Sequence, residues 1–150
     1  MARGEFLMAV TLGFAALLLS SQVFAQADVI EKRQQAMKSN SADAKAIKAA
    51  VESKDYATIE TKAKEIMGTA EKIPSLFPKG STQGKTKALP AIWEKPDEFA
   101  KAAKNLSKAA GELATAAKAK DEAAVTDKVK DVSGACGGCH KAFRAEKYSE

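Results

Sequence analysis

Hydrophobic and polar positions along this chain fall into one uncharged N-terminal run and then four stretches of helical period, with almost no strand-like alternation. The first stretch, from about Asp28 to Ser53, sets Ile30, Arg33, Met37, Asn40, Ala44, Ile47 and Val51 on one face at alternating steps of three and four. Arg33 and Asn40 are polar and flank Met37, which an ordinary core stripe does not need. The SNSAD segment at 39–43 is expected to interrupt or bend this helix. A second helix is predicted from about Asp55, a good N-cap, to Ile73, with Tyr56, Ile59, Ala63, Ile66, Ala70 and Ile73 inward and Pro74 as its stop.

A third helix is expected from about Asp97, an N-cap after Pro96, to Lys118, with Phe99, Ala103, Leu106, Ala110, Leu113 and Ala117 facing the core. The fourth starts near Asp121 and runs to about Lys147, with Val125, Val129, Val132, Cys136, Cys139 and Phe143 inward. The short turn between these two makes them antiparallel neighbours. Residues 74–96 form a long connection holding all four prolines, Gly80, Gly84, Phe77 and Trp93. Apolar residues bracket its polar KGSTQGKTK tip, so it should pack at both ends and be mobile between them. The pattern predicts an all-α, antiparallel four-helix bundle with a long connection between helices 2 and 3. Many of its core positions are alanine, so the bundle is thin on apolar area unless something large fills it.

The N-terminal run FLMAVTLGFAALLL at 6–19 is short for a membrane span and suits a signal peptide. Val23 and Ala25 occupy the −3 and −1 positions of a cleavage site, so residues 1–25 are expected to be a cleaved leader and 26–150 the bundle domain. The expected location is the periplasm, without stable membrane insertion. Lys plus Arg is 24 and Asp plus Glu is 19, a net charge of +5. The lysines interleave with alanine and acids, which reads as solvated helix surface rather than a nucleic-acid footprint.

Export leads to an oxidising compartment, where cysteines usually pair. This chain has two, Cys136 and Cys139, and a disulfide closing so small a loop stabilises little. With His140 they form CGGCH, the C-x-x-C-H pattern of c-type haem attachment. Two thiols three residues apart on one helix face can each form a thioether with a haem vinyl, and the next residue presents an imidazole to iron. One haem c per chain, covalently bound, is expected, and the last helix is then a haem-attachment helix. Gly134, Gly137 and Gly138 fit a macrocycle lying close to the backbone. A thioredoxin-like CxxC lacks its βαβ setting, a zinc site lacks ligands with one histidine in the chain, and His140 is too close in sequence to activate a cysteine nucleophile.

The segments KRQQAM at 32–37, FPKGS at 77–81, TKALPAIW at 86–93 and CGGCHKAFR at 136–144 resemble the class II c-type cytochromes, the cytochrome c′ family. The resemblance covers essentially the whole mature chain. It implies Cys136 and Cys139 as attachment residues and His140 as an axial ligand. Met37 stands where a low-spin branch of the family carries a methionine bound to iron. It also implies that Arg33 faces a haem propionate, that Arg144 lies near the proximal face, where it tunes the imidazole or caps the helix, and that Phe77, Trp93 and Phe143 pack about the macrocycle. Met67 is read as packing.

The expected function is single-electron transfer with His/Met ligation, serving redox partner proteins of the periplasm. No acid–base constellation accompanies the site, so no enzyme is expected. The alternative is a high-spin, cytochrome c′-like protein binding nitric oxide or carbon monoxide. The family also implies a possible homodimer through the first two helices.

Overall fold

A computed structural model describes residues 5–82 and 84–147, with side chains from Ala27 onward. The leader expected over 1–25 therefore lies outside the residues described with side chains. Helix α1 spans Glu5–Ser53, α2 Tyr56–Lys72, α3 Ala91–Glu94, α4 Pro96–Lys118 and α5 Glu122–Phe143, with a 3₁₀ turn at Ile73–Leu76. The long helices α1, α2, α4 and α5 form the bundle. Among the described residues no helix is long and apolar enough to cross a membrane.

The N-cap expected at Asp55 forms as read, and Asp121 forms another that the sequence reading gives only as a helix start. The Asp55 carboxylate accepts from the Thr58 amide at 3.1 Å, and that of Asp121 from the Ala124 amide at 3.0 Å. Each aspartate follows a lysine in the left-handed region, Lys54 and Lys120, both at φ 56°. These lysines reverse the chain where glycine is the usual choice. The other expected cap needs correction: α4 is entered through Lys95 with Pro96 in its first turn, so Asp97 lies inside the helix rather than capping it. Proline's fixed φ suits that first helical position.

Other boundaries also differ from the sequence reading. Helix α1 passes through residues 39–43 without a break and begins at Glu5 instead of near Asp28. Pro74 does not end the second helix outright, since the chain continues through Ile73–Leu76 as a 3₁₀ turn. Helix α5 stops at Phe143, not near Lys147. There Arg144 turns extended and bridges Ala88, while the Leu89 amide donates to the Phe143 carbonyl at 3.1 Å and the Ala145 amide to the Lys87 carbonyl at 2.8 Å. The returning connection takes over the backbone groups that another helical turn would have used.

The core lies where α2 packs between α1 and α4, and α4 against α5. The α2 and α4 stripes are buried as expected: Ile59, Ala63, Ala70, Ala110 and Leu113 are fully inaccessible. Alanines facing each other let these helices approach closely. Leu113 is one of the few large side chains in that seam, so Leu113→Ala should destabilise the fold by about 2–5 kcal/mol. Denaturant unfolding should show a lower midpoint at unchanged m-value.

Candidate haem site between α1 and α5

Helices α1 and α5 are not in close packing contact, and a cavity of about 530 Å³ opens between them. That volume lies within the roughly 300–1,000 Å³ range of ligand pockets. One wall is α5, with Cys136, Cys139, His140 and Phe143. The facing wall is α1, with Ile30, Arg33, Met37, Asn40 and Ala44. Ile73, Phe99 and Leu106 form the apolar floor, and Phe77, Ala88 and Ile92 of the connection close one end. The cleft explains two departures within the α1 stripe: Met37 is half-buried and Ala44 exposed, because α5 is held away from them.

The attachment motif is regular helix, so its spacing carries both cysteines and the histidine into the same cavity. Both thiols are free and half-buried, and burial pushes their pKa up, which keeps them protonated at neutral pH. Burial, and then the charge of Arg144, push the His140 pKa down. A neutral imidazole, with a lone pair free for a metal, is the favoured form. A Cβ added at Gly134, Gly137 or Gly138 would meet nothing within 4 Å. Protein packing therefore does not demand glycine here, and all three are exposed and lie outside the cavity lining, so the expected close approach of a macrocycle to them finds no support in the cleft.

Arg33 is 4% exposed. Its Nη1 donates to the Ser81 carbonyl at 2.9 Å, Nη2 to the Ser81 hydroxyl, and Nε to the Leu76 carbonyl. The guanidinium also lies 4.3 Å from the Phe77 ring centroid. Burial without an acid partner pushes its pKa down to about 10. Three of its five donors are spent on the connection, which leaves two for an anionic group in the cavity. Within the polar tip this anchor leaves Ser81 and Thr86 buried.

Phe77 and Phe143 line the cavity as expected, and Trp93 does not. Its indole stands behind Phe77, ring centroids 6.3 Å apart, and donates to the carbonyls of Phe77 and Pro78 at 3.1 and 2.9 Å. An edge-to-face run continues from Phe77 to Phe99 at 4.9 Å and to Phe143 at 5.2 Å. Trp93 thus positions the aromatic wall without forming it. Arg144 is the C-cap of α5, its amide donating to the His140 carbonyl at 3.0 Å, and its side chain lines the cavity. Met67 lies outside the cavity and packs on the core, as read.

Two polar residues of α1 have no role in the sequence reading. The stripe turns Asn40 inward without assigning it one. Asp43 lies off the stripe yet is 4% exposed, paired with Lys62 of α2 at 3.2 Å. Its partner comes from another helix, so nothing local announces its burial.

A helical bundle with C-x-x-C-H in an apolar cleft defines a c-type haem protein. A family model described as Cytochrome C′ matches residues 28–144. A cytochrome c′ from Rhodopseudomonas palustris is 35% identical over 145 residues, covering 91% of this chain and 95% of that one. A cytochrome c-554 from Cereibacter sphaeroides is 45% identical over 74 residues, 47% of this chain, so that match spans about half the relative's length. A solved cytochrome c′ described as having an unusual ligand-controlled dimer dissociation superimposes with TM-score 0.76 at 28% identity, over 81% of this chain and 97% of that one. The chain belongs to the cytochrome c′ family and carries covalently attached haem c. The low-spin, methionine-ligated branch expected from Met37 finds no support in these matches.

Proposed function

We propose that Cys136 and Cys139 hold the haem against α5, that His140 ligates its iron, and that the axial side facing α1 takes a small exchangeable molecule such as nitric oxide or carbon monoxide. The observation that carries this reading is the cleft itself: α1 stands off from α5, and Met37 on its wall is only half-buried. The haem supplies an iron that binds diatomics. Arg33 offers its two remaining donors to a propionate and ties the connection over the cavity. The Phe77–Phe99–Phe143 wall and the isoleucines exclude water. A periplasmic location follows if residues 1–25 are a cleaved leader. A homodimer fits the same reading, since one solved relative is described as a dimer under ligand control.

One observation favours a second reading, single-electron transfer to periplasmic redox proteins. Met37 lines the cavity on the wall opposite His140, one helical turn from Arg33. A thioether there would be a soft axial ligand that favours Fe(II).

Absorption spectra of the purified haem protein, with and without carbon monoxide, separate the two. The first reading expects high-spin iron and rapid carbon monoxide binding, both unaltered in kind by Met37→Ala. A low-spin spectrum with a thioether-to-iron band, converted to high-spin by Met37→Ala, would replace it with the second.

A further inference from the structure

Among the described residues that line the cavity one cation is buried, Arg33 at 4% exposure, and none is an Asp or Glu. The residue that grips Arg33 is Ser81, itself 3% exposed. Ser81 meets the guanidinium twice: its carbonyl accepts from Nη1 at 2.9 Å and its hydroxyl from Nη2. The hydroxyl donates its own proton to the Pro78 carbonyl, which leaves its lone pairs for Arg33. The turn itself does not need that hydroxyl. The Ser81 amide already donates to the Pro78 carbonyl at 3.3 Å, and Gly80, at φ 80°, supplies the left-handed residue such a turn requires. Alanine would close the same turn, and it would avoid the cost of taking a hydroxyl out of water. What serine adds here is its contact with Arg33. Phe77 and Trp93 complete the grip, with the guanidinium carbon 4.3 and 5.6 Å from their ring centroids.

We propose that Ser81 is a positioning residue for the haem: it fixes the Arg33 charge on the cavity wall, and that charge acts across the cleft to favour Fe(II) over Fe(III). A cation near the iron disfavours the more positive oxidation state, and more strongly where water is excluded. A guanidinium carries its charge throughout the neutral range. Held by two oxygens of one residue, it keeps its distance from the iron; released, it turns toward solvent and is screened. The inference rests on the reading of the cleft as the haem site and on neither choice of axial group.

The test is a spectroelectrochemical titration of the full haem protein at neutral pH. Arg33→Gln, or Arg33→Met should that chain fail to fold, should raise the Fe(III) to Fe(II) ratio at a fixed applied potential by about 10-fold, the order of one partly buried charge. Ser81→Ala should raise it in the same direction by about 2- to 5-fold, the lower range of one hydrogen bond. Ser81→Thr keeps the hydroxyl and should stay at the wild-type ratio. In the Arg33→Gln background Ser81→Ala should change nothing further, whereas a merely structural serine would act equally in both backgrounds. Two results overturn the proposal: a wild-type ratio in Ser81→Ala while Arg33→Gln shifts it, or an equal effect of Ser81→Ala with and without Arg33. Both leave the haem in the cleft. If Arg33→Gln also leaves the ratio unchanged, the proposal falls together with the placing of the haem against the α1 wall.

Discussion

Replacing Cys136 and Cys139 together by alanine should abolish covalent haem and leave the bundle without fixed packing between α1 and α5. The core seam between α2 and α4 does not depend on the cleft, since Ile59, Ile66 and Leu113 are buried among protein atoms. Much of the helix should therefore survive. The α1 and α5 walls have no such mutual contact, and the cavity of about 530 Å³ would collapse or flood. Domains of this size are stable by only about 5–15 kcal/mol, so losing the filler of the cleft is a large fraction of the total. Far-ultraviolet circular dichroism should stay helical, with weak near-ultraviolet signal, strong dye binding and a broad thermal transition. Acid–acetone extraction should leave the protein colourless. A sharp melt with native-like near-ultraviolet signal in the haem-free variant would show that the protein atoms alone hold the cleft.

Replacing His140 should perturb the iron more than any other single substitution while leaving the haem attached. The chain contains one histidine, so no other imidazole can take its place. Cys136 and Cys139 would still hold the ring, and the two roles separate cleanly in experiment. His140→Ala should keep haem through acid–acetone extraction but shift the Soret band and lose the ligand field of a nitrogen donor. Free imidazole added to the variant should restore much of the wild-type spectrum, because the substitution leaves a gap on the α5 wall. A Soret region unchanged from wild type would remove His140 from the iron.

What was legible in the sequence was what is encoded locally. The five residues of CGGCH name both the attachment chemistry and the element that bears it, because thioether formation and axial ligation need neighbours on one helix turn. The α2 stripe from Ile59 to Ile73 was readable because every member meets another helix. Arg33 was visible as an oddity on the α1 face, yet its hydrogen bonds reach the connection at Leu76 and Ser81, which no window around residue 33 contains. Trp93 was expected about the macrocycle together with Phe77, and it stands one layer behind Phe77, which takes the place on the cavity wall.

The sequence by itself determined four helices of given faces, the carboxylate cap at Asp55, and a haem-attachment motif at Cys136, Cys139 and His140. These rest on periodicity, capping and a motif, all interactions spanning a few residues. The tertiary structure decided that α1 and α5 stand apart, that α5 ends at Phe143 where the chain returns past Ala88, and that Asp43 is buried against Lys62. It also decided that Asn40 is buried with its amide oxygen unpaired among the described residues. Each of these is a pairing between segments far apart in the chain, and such pairings are chosen by how whole helices pack rather than by the residues on either side.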